Sequence, residues 1–201
     1  MKKETIMDQD LLRKFNESVN HVFKIADKLG YSNPFDKYKY REIQVASLLG
    51  HEVFIGASGG KQETNDKFGA DAIDENGKKA EYKSKTLKQK DLVKLQEGVL
   101  SVSGVYNGAY TDESIRAYRK IDHYYSVHYK GVVVAIAKVD TKYVCDTLQK
   151  NHEAREAANR ILSAEGKKTK TTNCNSAPVV FTDGNPLIDI VYKNPVFFLE
   201  Q

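Results

Sequence analysis

The sequence predicts a sandwich of the α/β or α+β class, in which helices cover a central sheet. Two observations predict it. Segments with apolar residues at helical spacing alternate along the chain with segments of strand length, and two pairs of these strand-like segments are joined by residues typical of tight turns. A long helical segment, residues 141–164, follows the second pair. We find no internal repeat and no low-complexity tract.

Helices are predicted where apolar side chains recur every three or four residues. The first stripe ends at Gly30 and the second at Gly50, and glycine commonly ends a helix because it adopts left-handed backbone angles without strain. The second helix begins at Pro34 or Asp36. The predicted helices are residues 8–29, 34–49, 88–100, 112–120 and 141–164.

Strands are predicted where short runs are β-branched or alternate between apolar and polar residues. Asn76-Gly77 between two such runs is a strong hairpin signal, and Lys130-Gly131 separates a second pair of runs. The predicted strands are residues 52–55, 70–74, 79–85, 122–129, 132–139, 179–181, 188–192 and 196–199. The predicted loops are residues 57–66, 101–110 and 166–176.

The composition excludes several classes of protein. Of the 201 residues, 40% are hydrophobic and 29% are charged, so the chain can bury a core and is not of the disordered class. No apolar run approaches the roughly 20 residues that a membrane helix needs, and the N-terminus lacks the apolar region of a secretory signal. Cys145 and Cys174 do not have the spacing of metal ligands. We therefore expect a cytoplasmic protein with no membrane partner.

The most informative segment is the first predicted hairpin. If its loop has three residues, Asp71 faces Glu81 across the two strands. Alternate residues of a strand share a face, so Asp71, Glu81 and Lys83 converge on one side, and Asp74 lies on the opposite side next to the turn. A two-residue turn would instead place Ala72 opposite Glu81. We exclude that register on chemical grounds, because it puts alanine on the side that carries the charged groups.

Two carboxylates and one amine on one face suit the hydrolysis of phosphodiester bonds. Mg²⁺ takes oxygen ligands, commonly one or two carboxylates together with waters and substrate phosphate. A lysine beside the metal can orient or deprotonate the attacking water, or stabilise the charge that builds up on phosphorus. The alternative interpretation is a solvated strand face on which acidic and basic residues alternate. Asp74 is a rival metal ligand.

Asp71, followed across a hairpin by Glu81-Tyr82-Lys83, resembles the motif of the PD-(D/E)XK nuclease superfamily. Glu42, in the helix before the hairpin, is similar to the helical acidic residue that often supplements the metal site in that superfamily. Ala70 departs from the pattern, in which proline usually precedes the aspartate. The resemblance covers roughly residues 38–85 and extends loosely over the following helix and strands to Val139. It implies an α/β fold with a restriction-endonuclease-like core, in which a mixed central sheet is flanked by helices.

The resemblance further implies a Mg²⁺-dependent endonuclease that cuts double-stranded DNA. Asp71 and Glu81 would bind the metal and Lys83 would position the water. Glu42 would be an auxiliary ligand. The small size implies a compact type II restriction enzyme, which reaches both strands most simply as a symmetric homodimer. One nuclease domain, residues 1–201, would consist of an N-terminal helical arm (1–33) that contacts the partner, a catalytic core (34–140), and a long helix with C-terminal strands (141–201).

Basic and polar segments near the predicted site suit contact with DNA. The net charge of +4 permits a nucleic-acid partner without requiring one. Lysines contact phosphates, backbone N–H groups near glycine approach anions, and asparagine reads base edges. The predicted DNA-binding residues are Lys61, Gln62, Lys85, Lys88, Lys167, Lys168, Lys170, Asn173 and Asn175.

Two other functions are compatible with the same residues. One is a structure-specific or repair nuclease, such as a junction resolvase, which also dimerises on this fold. The other is a non-catalytic nucleic-acid-binding module. An intact set of Asp71, Glu81 and Lys83 argues against the module, because a protein without catalysis does not need that set.

Overall fold

The computed structural model describes residues 9–28, 37–53, 70–106, 111–169, 174–175 and 178–198. The helices are α1 (Gln9–Lys28), α2 (Lys37–Leu49), α3 (Gln89–Gln96), α4 (Asp112–Tyr118), α5 (Thr141–Ala164) and α6 (Pro195–Phe198). The strands are β1 (Glu52–Val53), β2 (Ala72–Ile73), β3 (Lys79–Thr86), β4 (Ser101–Val102), β5 (Val105–Tyr106), β6 (Asp122–Tyr129), β7 (Val132–Val139), β8 (Cys174–Asn175), β9 (Val179–Val180) and β10 (Ile188–Lys193). The loop predicted at residues 57–66 lies outside these ranges. Within them, no helix is long and apolar enough to cross a membrane.

A mixed six-stranded sheet lies at the centre, with the strand order β1-β2-β3-β6-β7-β10. β3 and β6 run parallel, whereas the other neighbours are antiparallel. A parallel pair needs a crossover connection, and α3, α4 and the short strands between them belong to it. The protein is therefore of the α/β class with a mixed sheet flanked by helices, as the sequence predicts.

The central strands are buried on both faces, since nearly all residues of β6 and β7 are inaccessible to solvent. One face packs against α3, α4 and α5 through Leu92, Ile115 and Leu148. The other face packs against α2 through Val45 and Ala46. A charged side chain on a sheet covered in this way is unfavourable unless it is paired.

Two helices begin where a side chain caps the free backbone N–H groups. Thr111 Oγ1 accepts a hydrogen bond from the Ser114 N–H at 3.3 Å at the start of α4. The Asp140 carboxylate accepts one from the Tyr143 N–H at 2.6 Å at the start of α5. From this cap α5 continues to Ala164, which confirms the helix predicted from the spacing of its apolar residues.

The hairpin of β2 and β3 has the register that the sequence predicts. Ala72 pairs with Ala80, and Ile73 pairs with Lys79. The Asp74 N–H donates a hydrogen bond to the Lys78 carbonyl at 2.9 Å, so three residues, 75–77, form the loop. The last of them, Gly77, has a φ of +77°, a left-handed conformation that glycine adopts without strain. The alternative two-residue turn is thereby excluded.

The loop predicted at residues 101–110 is wrong in its first part, which contains β4 and β5. These strands pair with β9 and β8, which come from the far end of the chain. Val102 and Tyr106 are buried in the main hydrophobic core. Because the partner strands are distant in sequence, no local pattern indicates the pairing. β8 likewise lies within the loop predicted at residues 166–176.

The strand predicted at residues 196–199 is also wrong, because residues 195–198 form the helix α6. The Asn194 side chain accepts a hydrogen bond from the Val196 N–H at 3.1 Å, and its carbonyl accepts one from the Phe197 N–H at 3.0 Å. Pro195 follows with a φ that suits the first residue of a helix. The asparagine–proline pair thus begins a helical turn, although the apolar run after it indicates a strand.

Candidate functional site

Asp71 lies where the two strands of the hairpin separate. Its N–H donates a hydrogen bond to the Ala80 carbonyl at 2.9 Å. Its Oδ2 accepts one from the Tyr82 N–H at 2.7 Å. At this point of β3, the Asp71 side chain therefore takes the place of a neighbouring strand. The carboxylate is held beside Glu81, which lies between Ala80 and Tyr82.

Lys83 adds a positive charge to the two carboxylates. It follows Glu81 by two residues on β3, so the two side chains share a face. The Lys83 Nζ forms an ion pair with Glu81 Oε1. Only 19% of the Lys83 side chain and 8% of the Glu81 side chain are exposed, so the pair is largely shielded from water. The structure thus brings together the three residues that the sequence places on one face.

The charges at this position have a marked effect on Asp71. Burial and the neighbouring Glu81 carboxylate raise the pKa of Asp71 to about 7, while Lys83 acts in the opposite direction. Burial lowers the pKa of Lys83, but Glu81 and Asp71 together outweigh this effect and raise it. Two carboxylates with one ammonium group leave a negative charge that burial makes unfavourable. A further cation at this position would relieve it.

Glu42, on α2, lies near the group but is paired with another residue. Its Oε2 is 2.6 Å from the Lys39 Nζ. Burial and the charge of Asp71 raise the pKa of Glu42, so the two carboxyl groups are close enough to interact. Lys39 also lowers the pKa of Asp71. Lys39 is not among the site residues predicted from the sequence, although its spacing of three residues from Glu42 on a predicted helix is a signal for this contact.

Asp74 lies on the opposite side of the hairpin, as the sequence predicts. Its carboxylate accepts hydrogen bonds from the N–H groups of Asn76 at 2.9 Å and Lys78 at 2.7 Å. Its charge acts on His51 and Tyr124, which lie on the other face of the sheet from Glu81. Asp74 therefore stabilises the turn and is separated from the three charged residues.

An aromatic residue that is not among the predicted site residues, Tyr106, lies against Lys83. The Lys83 Nζ is 4.7 Å from the centroid of the Tyr106 ring. The Tyr106 hydroxyl is 2.8 Å from Nδ1 of His123, which pairs with Glu81 in the register of β3 and β6. Because Tyr106 belongs to a segment predicted as loop, no local signal in the sequence indicates this contact.

The donor atoms suit one hard cation held by two carboxylates. Asp71 Oδ2 and Glu81 Oε1 are engaged by the bonds described above, which leaves Asp71 Oδ1 and Glu81 Oε2 as the oxygens to bind a cation. Mg²⁺ is commonly bound by one or two carboxylates, with waters and phosphate completing its coordination. Among the described residues, no three Asp, Glu, His or Cys side chains form a group that could hold a metal ion. The auxiliary role of Glu42 stays a prediction.

Two of the predicted DNA-binding lysines lie downstream of Lys83. Lys85 follows it on the same face of β3, and the Lys85 Nζ donates a hydrogen bond to the Ser101 carbonyl at 3.0 Å. Lys88 is exposed and immediately precedes α3. Two positively charged residues therefore follow Lys83, one on β3 and one just beyond its end.

The other predicted DNA-binding residues belong to two segments that the structure describes only in part. Lys167 and Lys168 follow α5 and are exposed. The Lys167 Nζ is 2.8 Å from Glu165 Oε2. The backbone of Asn175 pairs with Val105 on β5, the strand that contains Tyr106. This pairing brings the end of the basic segment to the strand beside Lys83. The residues outside the described ranges are Lys61, Gln62, Lys170 and Asn173.

Comparison of the chain with protein-family models finds no match, and comparison with curated proteins finds none. The candidate site is therefore defined by its own geometry. Its components are the register of the β2–β3 hairpin, the Glu81–Lys83 ion pair, and the Asp71 carboxyl group, whose pKa is raised by burial and by the neighbouring Glu81 carboxylate.

Proposed function

We propose that the protein is a Mg²⁺-dependent endonuclease of the PD-(D/E)XK superfamily, which has a restriction-endonuclease-like core and hydrolyses phosphodiester bonds in double-stranded DNA. The observation that carries this proposal is the convergence of Asp71, Glu81 and Lys83 on one face of a hairpin. Replacing a buried ion pair by apolar residues is often neutral or stabilising, so a buried group of this kind calls for a functional reason.

Asp71 and Glu81 hold the metal in the proposed reaction. The negative charges of the two carboxylates repel one another, and a divalent cation held by both would offset this repulsion. When bound, Mg²⁺ supplies a Lewis acid to the phosphoryl oxygen and to the attacking water. The raised pKa of Asp71 favours its protonated form, so Asp71 would have to lose this proton in order to hold a metal ion.

Lys83 stabilises the negative charge that develops on phosphorus. The carboxylates of Glu81 and Asp71 raise its pKa, which keeps the amine protonated at neutral pH. A protonated amine cannot accept a proton from water, so Lys83 acts as an electrostatic stabiliser and not as the general base. Its ion pair with Glu81 holds the ammonium group next to one of the proposed metal ligands.

Lysines beyond the site provide contacts to the phosphate backbone. Lys85 follows Lys83 on β3, Lys88 immediately precedes α3, and the Lys39 ammonium group pairs with Glu42 on α2. Such contacts make the affinity for DNA sensitive to salt. Lys167 and Lys168 are proposed as a further contact because their segment leads to the strand that pairs with β5.

We assign the enzyme to the compact type II restriction class, acting as a homodimer. One site cuts one strand, and two sites related by a twofold axis cut both. The supporting observation is that Val22 and Phe23, on the predicted apolar stripe of α1, are 41% and 43% exposed. An exposed apolar stripe is typical of a protein–protein contact.

Incubation with three kinds of DNA tests the proposal. The purified chain is mixed with plasmid, phage DNA and a four-way junction, in Mg²⁺ or in EDTA, beside Glu81→Gln and the matched variant Asp74→Asn. Discrete fragments that need Mg²⁺ and Glu81 support a restriction enzyme. Cutting of the junction alone would assign a resolvase. Binding without cutting of any DNA would refute the nuclease and favour a non-catalytic module.

A further inference from the structure

We propose that Tyr106 is a positioning residue that holds the Lys83 ammonium group in its working orientation, an inference that rests on the nuclease function proposed above. The Lys83 Nζ lies 4.7 Å from the centroid of the Tyr106 ring. The negative face of an aromatic ring attracts a cation at this distance. Glu81 holds the same ammonium group by an ion pair. Lys83 is thus fixed by a ring and a carboxylate together.

The Tyr106 ring is itself held in place by a buried chain of hydrogen bonds. Tyr106 and His123 are completely inaccessible to solvent. His123 Nε2 is 3.0 Å from the Tyr118 carbonyl, which can only accept, so Nε2 carries the proton and donates it. Burial lowers the pKa of His123 to about 4, which leaves the ring neutral and Nδ1 without a proton. The Tyr106 hydroxyl therefore donates its hydrogen bond to Nδ1 at 2.8 Å.

The backbone next to Tyr106 also confines the stem of Lys83. Gly104 lies between β4 and β5, and a Cβ atom added there would be 2.9 Å from Lys83 Cγ. The same Cβ would be 2.9 Å from Cζ and from the hydroxyl oxygen of Tyr125. Carbon atoms do not approach so closely, so a side chain at this position would displace the lysine. Because residue 104 has no side chain, the backbone between β4 and β5 can lie directly against Lys83.

This arrangement matters because lysine is a flexible residue with several rotatable bonds. A charge that stabilises a transition state works best when it is already oriented before the reaction, because no reorganisation is then needed. The ring and the carboxylate orient the ammonium group before DNA binds. Tyr106 itself does not reach the reacting atoms, so its effect is expected on the rate of the chemical step and not on substrate binding.

NMR of the metal-free full-length protein detects the contact without any cleavage assay. In protein labelled with ¹³C-lysine, the methylene protons next to the Lys83 Nζ are expected at high field, because the Nζ lies over the Tyr106 ring. Lys83→Arg identifies their signals. The high-field shift should persist in Tyr106→Phe and disappear in Tyr106→Leu. Tyr124→Leu is the matched control, since that ring also lies under a lysine, Lys138, with the Nζ 5.8 Å from its centroid.

Cleavage kinetics of the same variants show whether the contact serves the reaction. Tyr106→Leu should lower kcat about tenfold or more and leave KM almost unchanged, whereas Tyr106→Phe retains most of kcat. An unchanged Lys83 signal in Tyr106→Leu would overturn the inference. So would a lost signal with an unchanged kcat. If the signal is lost but the wild-type protein cuts no DNA, the nuclease proposal fails while the contact itself is established.

Variants that keep the shape of the ring preserve the test if Tyr106→Leu does not fold. Pentafluorophenylalanine at position 106 reverses the charge distribution of the ring face at nearly the same size, so kcat should fall relative to Tyr106→Phe. Gly104→Ala, which pushes on Lys83 Cγ directly, should also lower kcat and alter the Lys83 signals. Equal kcat values for the two ring variants would overturn the role of the ring.

Discussion

The Tyr82 N–H donates a hydrogen bond to the Asp71 carboxylate at 2.7 Å, and this contact ties the candidate site to the register of the β2–β3 hairpin. Beyond Ala80 the Asp71 side chain replaces a strand neighbour of β3. A slip of one residue would turn every side chain of the strand to the other face. Asp71 is therefore fixed beside Glu81, and Asp74 is fixed at the turn.

We predict that Asp71→Asn eliminates DNA cleavage and that Asp74→Asn retains the rate within about a factor of ten, a difference of about 1.4 kcal/mol in the barrier. Asparagine keeps an oxygen that can accept the hydrogen bond from Tyr82, so the fold should persist, but it loses the charge that binds a metal. Initial rates at saturating Mg²⁺, with circular dichroism of both variants, measure the effect. The opposite order of rates would show that Asp74 is the ligand.

Glu81→Gln and Lys83→Ala should each reduce cleavage at least about a hundredfold, since loss of an electrostatic stabiliser typically costs about 2.7–4 kcal/mol. Both side chains are largely buried and paired with each other, so each variant also leaves one charge without its partner. Lys142→Ala, at an exposed position on α5 with no proposed role in DNA contact, is the control for loss of a lysine. Full activity in either Glu81→Gln or Lys83→Ala would refute the assignment of the site.

The sequence predicts the hairpin well because the signals there are local. An Asn-Gly turn and the alternation of side chains determine which face each residue occupies, and the register of Ala72 with Ala80 confirms this. The strands β6 and β7 are confirmed for the same reason, as β7 is β-branched and apolar, β6 alternates imperfectly, and the two are adjacent in sequence. Where two paired strands are adjacent in the chain, their residue pattern is sufficient to predict both the strands and their pairing.

Other features depend on contacts between distant segments. β4 and β5 are too short to form a pattern, and their partners come from the C-terminal part of the chain. Tyr106 could not be placed next to Lys83 for this reason, although it is the aromatic residue under the ammonium group. The helical spacing of Lys39 indicates its contact with Glu42, but nothing in the sequence indicates that its charge lowers the pKa of Asp71. Tertiary packing decides these positions.

Calcium should support DNA binding with little or no cleavage, whereas Mg²⁺ supports both. Ca²⁺ also binds carboxylate oxygens, but it tolerates irregular geometry and longer distances, so it aligns the attacking water poorly. Binding is measured by gel shift in Ca²⁺, and cleavage in Mg²⁺, Ca²⁺ and excess EDTA. Rapid cleavage in Ca²⁺, or undiminished cleavage in EDTA, would refute the metal mechanism.

Val22→Glu should convert the proposed homodimer into a monomer. Val22 is an exposed member of the apolar stripe of α1, and a charge at its position would be buried without a partner in a dimer interface. Ile161→Glu is the matched control, because Ile161 is an equally apolar residue on α5 that is 61% exposed. Sedimentation velocity of the three proteins measures the oligomeric state. A monomeric wild-type protein, or a dimer that persists in Val22→Glu, would exclude this contact.

The metal-free protein should lose stability as the pH rises from about 4 to about 7. Burial and Glu81 raise the pKa of Asp71 from 3.8 to about 7, so the folded state binds more protons than the unfolded state throughout this range. The free energy of unfolding then decreases with pH, on the order of 2 kcal/mol between pH 5 and pH 8, at about 1.4 kcal/mol per pKa unit. Urea unfolding in EDTA measures it.

Asp71→Asn should remove this dependence, because asparagine has no proton to lose. The variant is expected to be more stable than the wild-type protein at pH 8 in EDTA and nearly equal to it at pH 4, where Asp71 is protonated in the folded state. If Asp71 holds Mg²⁺ in the folded state, as proposed, addition of Mg²⁺ at pH 8 should stabilise the wild-type protein and leave Asp71→Asn almost unchanged. If both proteins respond equally to Mg²⁺, the metal binds at a position that does not involve Asp71.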